Sequence, residues 1–458
     1  MMGRKDDHQG HFFYHFKLDE RVPQDHLLRG IDQFLDLSQL HEHLEPFYSH
    51  TGRPSIDPEL MMRMLIIGYC YGIRSERRLC EEVQLNLAYR WFCRLSLEDD
   101  VPDHSTFSKN RHGRFRDSEV LRFVFEGVVE RCLAEGLVSG EGFAIDASIV
   151  KADASRVRSK SLKQDDDDWP RPGGSSRAVR EYLAALDEGN EPMRSVSTTD
   201  PAAQFTGATG DKPFYAYSTN YLIDTEAGII VDVEATRAHR TDEVASTKTM
   251  LERVEERFDL KPKRLAADTA YGSAAMLGWL VEEKEILPHI PVWDKSAGKP
   301  ELFGRSEFTW VADSDWYVCP GGKRLESSLR RFKKPRITKE NTIIYRARSA
   351  DCDSCSLKTR CCPNTPSRKI HRSIHEDARD LARSLTHTSA YRQSSNQRKK
   401  VEVLFGHMKR ILKLDRLRLR GLTGANDEFL MAATAQNLRR MALWLGQSPP
   451  QPSGSVCA

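Results

Sequence analysis

Long apolar runs and a large excess of charge of one sign are both absent from this chain of 458 residues. No run of about 18 apolar residues is present, so we expect no transmembrane helix and no membrane partner. The first residues, Met-Met-Gly-Arg-Lys-Asp-Asp-His, lack the apolar core of a signal peptide, which predicts a cytoplasmic protein. A net charge of +3 does not by itself indicate nucleic acid, so local charge must carry that inference.

Ten cysteines in a cytoplasmic protein are expected to be reduced unless they bind metal. Half of them lie in one basic segment, residues 295–390, which contains a Cys-x-x-Cys pair and outlying cysteines. Such a set fits a tetrahedral thiolate zinc site, and reduced thiols without metal are the alternative. The predicted zinc ligands are Cys319, Cys352, Cys355 and Cys361, with Cys362 competing for the fourth place.

The first 118 residues predict a helical domain. Asp57, Pro58 and Glu59 form a helix start, with an N-cap, a proline at the first helical position and an acid in the first turn. Asp103 caps a later short helix whose cations are Lys109, Arg111, Arg114 and Arg116. Helix, turn and basic helix are typical of a helix-turn-helix-like DNA-binding bundle, and the alternative is an ordinary helical domain with a solvated basic face.

Residues 119–294 predict the first part of an α/β core. Two short apolar runs, 142–146 and 264–268, each end in an aspartate, and ligand sites gather at the carboxyl ends of such strands. The order of elements is strand, hairpin, helix, strand, helix, strand, which is that of a ribonuclease H-like fold. That fold would bring Asp146 and Asp268 together. Residues 154–210, which contain four consecutive aspartates, predict a flexible insertion.

Residues 398–409 predict a basic helix that would end near Gly421 and on which Arg398, Glu402 and Lys409 share one face. Nine Lys or Arg and two acids lie between positions 398 and 420. One interpretation is a salt-bridged surface helix, and the other is a metal-binding carboxylate flanked by phosphate-binding cations. After the basic, cysteine-containing insertion 295–390, residues 391–447 would complete the core, and 448–458 predict a disordered tail.

Phosphodiester chemistry by two divalent ions requires hard oxygen ligands, and magnesium prefers a few carboxylates. We therefore predict that Asp146, Asp268 and Glu402 are catalytic and hold two ions of Mg²⁺ or Mn²⁺. Arg398 and Lys409 would then hold phosphates beside the metals.

The chain resembles the DDE transposases of bacterial insertion sequences from about Gly52 to its final helix. The resemblance lies in Ala-Ile-Asp146-Ala-Ser, in Ala-Asp268-Thr-Ala-Tyr-Gly, and in Arg398-x3-Glu402-x6-Lys409. The last matches three of the four places of the family's Y-R-E-K signature. The helical N-terminal segments are similar to the family's DNA-binding region, and the cysteine-containing insertion resembles one subgroup.

The chain departs from the signature at its tyrosine. Ser395 stands where the tyrosine is expected, and Tyr391 lies one helical turn earlier. The departure concerns the positioning role that the family gives this tyrosine and leaves the metal ligands unaffected.

The resemblance implies cut-and-paste transposition, in which metal-activated water cleaves DNA at the element's ends and the released 3′-hydroxyls attack target DNA. It implies double-stranded DNA as the partner, a homodimer or larger synaptic assembly, and a nucleoid-associated location. The implied DNA-binding residues are Arg398, Lys409, Tyr271, Lys109, Arg111 and Arg114. Two alternatives remain: a metal-dependent nuclease of the same fold without strand transfer, and a catalytically inactive DNA-binding protein derived from a transposase.

Overall fold

A computed structural model describes residues 16–52, 55–161, 176–187, 195–207, 212–293, 301–327 and 337–445, and it is a mixed α/β structure. The helices are α1 (Leu18–Arg21), α2 (Leu27–Phe34), α3 (Leu40–Leu44), α4 (Pro58–Cys70), α5 (Glu76–Leu85), α6 (Leu87–Phe92), α7 (His104–Asn110), α8 (Val120–Ala134), α9 (Arg177–Asp187), α10 (Arg240–Phe258), α11 (Ala274–Gly278), α12 (Ser349–Asp353), α13 (Lys358–Cys361), α14 (Glu376–Leu385), α15 (Ser389–Arg410) and α16 (Gly421–Leu445). The strands are β1 (Gly142–Lys151), β2 (Ser159–Ser161), β3 (Ser195–Ser197), β4 (Gln204–Thr206), β5 (Phe214–Asp224), β6 (Ile230–Arg237), β7 (Arg264–Ala266), β8 (Leu287–His289), β9 (Thr309–Val311), β10 (Trp316–Val318), β11 (Arg324–Glu326), β12 (Thr342–Ala347) and β13 (Lys369–Ser373). None of the helices within these ranges is long and apolar enough to cross a membrane.

The described residues form two compact units. The first contains those of 1–139, 146–260 and 400–458, and the second those of 140–145 and 261–399. Strand β1 and helix α15 each contribute residues to both units. These groupings differ from the predicted boundaries at 118, 294 and 390, because chain segments distant in sequence pack into one unit. The predicted domain boundaries stay predictions.

The helices at the start of the first unit follow their capping residues. The Glu59 backbone N–H donates to the Asp57 side chain at 3.0 Å, which confirms the predicted start of α4. Asn86 separates two helices, because it ends α5 and accepts from the backbone N–H groups of Ala88 and Tyr89 at the start of α6.

A sheet and one long helix form the rest of the first unit. Strands β5 and β6 form the predicted antiparallel hairpin, β4 pairs with the first residues of β5, and β1 lies next to β5. Helix α16 packs against α2, α4, α8, α9 and β6. The side chain of Asn437 on α16 accepts from the Ile230 N–H at 2.9 Å and donates to the Ile230 carbonyl at 2.8 Å, so this helix is bonded directly to β6.

Part of the predicted insertion 154–210 is regular structure in the first unit. Strand β2 pairs with β3, α9 lies between them in sequence, and β4 joins β5. The four consecutive aspartates and the predicted tail 448–458 lie outside the described residues.

The second unit contains a parallel ladder and an antiparallel sheet. Strand β7 pairs in parallel with the first residues of β1 and with β8. The other sheet has the order β13-β12-β11-β10-β9, and its buried side chains include Tyr317, Leu325, Tyr345 and Ile370. The described part of the cysteine-containing insertion thus contains one small sheet.

Candidate functional site

The two predicted catalytic aspartates follow equivalent positions of neighbouring parallel strands. Ala144 of β1 is paired with Ala266 of β7, and Asp146 and Asp268 each come two residues later. Asp146 accepts a hydrogen bond from the Ala147 backbone N–H at 2.9 Å. Since strands in a parallel ladder share their direction, both acids follow the same end of this pairing.

Strand β1 is longer than the sequence pattern predicts. It continues to Lys151, so Asp146 lies in the middle of the strand and not at its end. The buried apolar run does end before Asp146, which is half-buried. The apolar run in the sequence therefore marks where the buried part of β1 ends. The strand itself continues beyond that point because it pairs with other segments.

Asp268 is held by the turn in which it lies. It comes two residues after the end of β7, so the strand stops short of the predicted Asp268, and its Oδ1 accepts from the Ala270 backbone N–H at 2.8 Å. This bond caps one turn of 3₁₀ helix, Thr269–Tyr271. The turn needs Gly272, because a Cβ there would overlap the Pro291 carbonyl oxygen and lie 2.8 Å from the Trp293 nitrogen. The side chain of Tyr271 is buried, and its DNA contact stays a prediction.

Glu402 lies on the exposed face of α15. The opposite face contains Val401, Leu404 and Met408, all buried, as the helical spacing predicts. Within the described ranges, Glu402 has no ion pair and no side-chain hydrogen bond. The interpretation of this helix as a salt-bridged surface helix would require a cationic partner for Glu402, and the described residues provide none.

Lys409 and Arg398 lie on the same helix, and both are partly buried. Lys409 Nζ donates to the Ile149 carbonyl at 3.0 Å and so connects α15 to β1 within the first unit. Burial lowers the pKa of Lys409, and the nearby Asp415 carboxylate opposes that shift in part. The two remaining N–H bonds of the ammonium group can still donate to a phosphate. Helix α15 ends at Arg410, so the basic residues up to position 420 do not continue it.

The three acids offer the hard oxygen ligands that magnesium prefers, and each is half-buried or exposed. Asp146 and Glu402 are in the first unit and Asp268 is in the second. Across the part of the chain that the structure describes, no three His, Cys, Asp or Glu side chains are grouped closely enough to hold a metal ion. The assignment of all three as metal ligands stays a prediction.

Tyr391, the candidate substitute for the signature tyrosine, packs inside the second unit. Its ring centroid lies 5.6 Å from that of His289. His289 Nδ1 is 2.7 Å from Ser394 Oγ, and burial lowers the pKa of His289 to about 4, with a smaller contribution from Arg264. Ser395 itself is exposed.

Two of the three N-terminal cations predicted to bind DNA have partners within the first unit. Arg111 is buried, pairs with Glu76 at 2.9 Å and donates to the Tyr69 hydroxyl at 3.0 Å. Arg114 donates to the Asn110 side chain at 2.7 Å. Lys109 is exposed. Arg111 thus lies in the interior, where its guanidinium connects the start of α5 to the helical turn after α7.

The cysteines of the insertion lie around the small antiparallel sheet. A Cβ on Gly321 would lie 3.5 Å from Cys355 Sγ and 3.7 Å from Cys319 Sγ, so both sulfurs face this glycine. Cys352 and Cys362 belong to the core of the sheet, and Cys361 packs against it. Among the described thiols no metal-binding group of three is formed, and the zinc site stays a prediction. Four cysteines outside the insertion, Cys70, Cys80, Cys93 and Cys132, are buried.

Sequence reasoning missed a set of arginines after α15. Residues 416–420 read Arg-Leu-Arg-Leu-Arg, and the leucines are buried while the arginines are exposed. Alternation with a period of two is the signal of an extended segment, not of a helix. The alternation of arginine and leucine is visible in the sequence, but it is hidden when the whole basic run up to Gly421 is interpreted as one helix.

Two segments of the chain match known protein families. Residues 16–113 match a transposase domain, DUF772, and residues 318–442 match a transposase DDE domain. These matches support an insertion-sequence DDE transposase. No solved structure matches the chain.

Only some residues of the predicted transposase site lie within a matched segment. Glu402, Arg398 and Lys409 lie within the DDE match, as do the cysteines of the insertion, whereas Asp146 and Asp268 lie between the two matches. DDE transposase domains generally use divalent metals, and transposases bind DNA and typically oligomerise.

Proposed function

We propose that the chain is the cut-and-paste transposase of an insertion sequence and that Asp146, Asp268 and Glu402 hold its catalytic Mg²⁺ or Mn²⁺ ions. The observation that carries this proposal is the register of β1 and β7, in which each aspartate comes two residues after the paired Ala144 and Ala266. The match to a transposase DDE domain around Glu402 supports the third position.

The strand orders support a ribonuclease H-like core for this transposase. In the first unit the order is β6-β5-β1, with an antiparallel hairpin, and in the second it is β1-β7-β8, all parallel. The cysteine-containing insertion would then interrupt the core between β8 and α15, and residues 1–118 would form the helical DNA-binding domain. Zinc at the cysteines and a homodimer or larger assembly on paired ends belong to the same proposal.

The chemistry divides between the metals and the chain. Asp146, Asp268 and Glu402 would hold two divalent ions, which would polarise the attacking oxygen and stabilise the departing one. The hydrogen bonds from Ala147 and Ala270 fix the orientation of the two aspartates. Glu402, which has no ion pair in the described part of the chain, can approach a cation without first losing a partner. Arg398 and Lys409 hold the phosphate backbone.

An excision assay in cells tests this function. A marker is flanked by the DNA from either side of this gene, and wild-type protein or the Glu402→Gln variant is supplied separately. We expect excision with the wild type and none with the variant. Excision by both would refute the role of Glu402. Excision by neither, with both proteins expressed and bound to DNA, would instead indicate an inactive DNA-binding protein derived from a transposase.

A further inference from the structure

The segment after α15 is held beside the end of β1. The Leu417 N–H donates to the Lys151 carbonyl at 2.8 Å, and Lys151 and Arg416 form a parallel bridge. Leu417 and Leu419 are buried. The arginines at 416, 418 and 420, which alternate with these leucines, are exposed. We call these three residues the arginine ladder.

Two carboxylates hold the ladder in place. Asp153 pairs with Arg416 at 3.0 Å and with Arg420 at 2.9 Å. The buried Glu428 accepts the backbone N–H groups of Arg418 and Leu419. The ladder is therefore preorganised from both its backbone and its side chains, and it does not depend on a ligand for its shape.

The charge around the ladder is strongly positive. The two adjoining segments, 151–158 and 413–420, contain seven Lys or Arg and two acids, Asp153 and Asp415. Arg156 and Arg158 are exposed, and in the ranges described here neither they nor the Arg418 side chain forms an ion pair. One acid shared between two arginines leaves a net cationic surface. Arginine is the residue best suited to phosphate, because its planar fork can donate two parallel hydrogen bonds.

We propose that the arginine ladder binds the phosphate backbone of duplex DNA at a distance from the cleavage site. This proposal rests on the proposed transposase function. The chain bends at Arg418 and Leu419, and Arg416 and Arg420 converge on Asp153, so the three arginines form one compact cationic group. Contacts of such a group with phosphates position a duplex and do not read bases.

Strand β1 relates the ladder to the predicted cleavage site. Lys151, which bridges to Arg416, comes five residues after Asp146 on the same strand. Five residues of strand span about 16–17 Å. At about 3.4 Å of axis per base pair, the contacted phosphates would lie roughly five base pairs from the scissile bond.

Binding to an element-end duplex tests the proposal independently of cleavage. Every protein carries Glu402→Gln to block the chemistry, and the dissociation constant is measured by fluorescence anisotropy at several salt concentrations. We expect Arg418→Gln and Arg420→Gln each to weaken binding and to reduce the slope of log K against log salt by about 0.9. Arg418→Lys and Arg420→Lys should retain most of the slope, since the charge remains.

Arg257→Gln is the matched control. Arg257 on α10 in the same unit is 45% exposed and pairs with Glu126, while Arg420 is 46% exposed and pairs with Asp153. The control should leave the slope unchanged. If Arg420→Gln lowers the melting temperature, Arg418→Gln provides the test, because its side chain has no ion pair in the described residues.

The outcomes separate the ladder from the function. If the Glu402→Gln parent binds the duplex and both Gln variants keep its salt slope, the proposal that the ladder binds DNA would be wrong. The transposase proposal would be unaffected. A parent that binds no duplex, together with a wild type that excises nothing, would overturn both. Loss of slope in the Arg257→Gln control equal to that of the ladder variants would show a general charge effect and would also overturn the ladder.

Discussion

Two buried glutamates of this protein, Glu428 and Glu376, differ from the exposed Glu402 in their partners. Glu428 on α16 and Glu376 on α14 are fully buried. Glu428 pairs with Arg74, and Glu376 pairs with three arginines, Arg305, Arg379 and Arg383. Glu402 on α15 is exposed and, in the chain as described, has no ion pair.

The difference follows from the energetics of desolvation. A carboxylate removed from water must be compensated by opposite charge and hydrogen bonds, so a buried acid is committed to its partners. An exposed acid keeps its hydration and can exchange water for a cation. The buried acids of this protein therefore maintain the fold, and Glu402 is available for a ligand. The predictions that follow test this division.

The largest effect is expected at the predicted metal ligands. Asp268→Asn removes the charge and keeps the size of the side chain, so cleavage of a labelled element-end duplex should be abolished while DNA binding persists. Gel analysis of cleavage and anisotropy of binding give the two readouts. Cleavage at the wild-type rate would remove Asp268 from the site.

A buried acid should instead affect folding. Glu428→Gln leaves the buried Arg74 without its charge partner, so the free energy of unfolding should fall by about 3–5 kcal/mol. Denaturant unfolding followed by circular dichroism measures this change. Glu402→Gln is the control and should change stability by no more than about 0.5 kcal/mol. Equal losses for the two variants would refute the division between structural and available acids.

Asp200 is an intermediate case, buried but bonded to a hydroxyl. Tyr217 donates to it at 2.7 Å, and burial raises the pKa of Asp200 to about 6 despite that bond. The folded state therefore binds this proton more tightly than the unfolded state, whose pKa is about 3.9. The stabilisation of the folded state by this proton is complete below about pH 4 and is lost as pH rises through 6. The free energy of unfolding should therefore fall by roughly 3 kcal/mol.

Stability measured from pH 4 to pH 7 tests this sign. The fall in stability over that range should be shallower in Asp200→Asn, which does not titrate. An identical pH profile for the variant would show that the pKa of Asp200 is not raised.

The smallest effect is expected at Lys409, which has a structural partner as well as a proposed phosphate. Lys409→Ala should weaken binding to the element-end duplex and reduce the salt slope by about 0.9, one phosphate contact. The bond to the Ile149 carbonyl is lost as well, so the melting temperature of the variant is measured beside its binding. A lower melting temperature with an unchanged slope would leave Lys409 a structural residue only.

Several local elements could be predicted because their determinants are adjacent in sequence. Asp57 and Pro58 specify the start of α4, and the hairpin of β5 and β6 follows from two strand-like runs around a turn. The placement of Glu402 on a helix with a buried opposite face also follows from spacing alone.

The predicted end of the basic helix, near Gly421, is wrong: α15 ends at Arg410, because its end depends on a distant segment. Gly72, at a φ of +67°, lies so close that a Cβ there would be 2.7 Å from the Ile411 carbonyl oxygen and 2.8 Å from Lys413 Cγ. Lys413 has a φ of +56°, and no glycine or proline between Arg410 and Arg420 marks the end in the sequence. The turn after α4 thus packs on the chain where the helix stops.

By itself, the sequence determined the periodic elements, the three candidate acids and their order, since these depend on propensity, capping and spacing along the chain. Only the tertiary structure decided which charges are available. Arg111 and Glu428 are buried and paired, while Glu402 and the arginine ladder are exposed. The physical reason is that desolvation and pairing depend on segments far apart in sequence, and no local pattern records which of them meet.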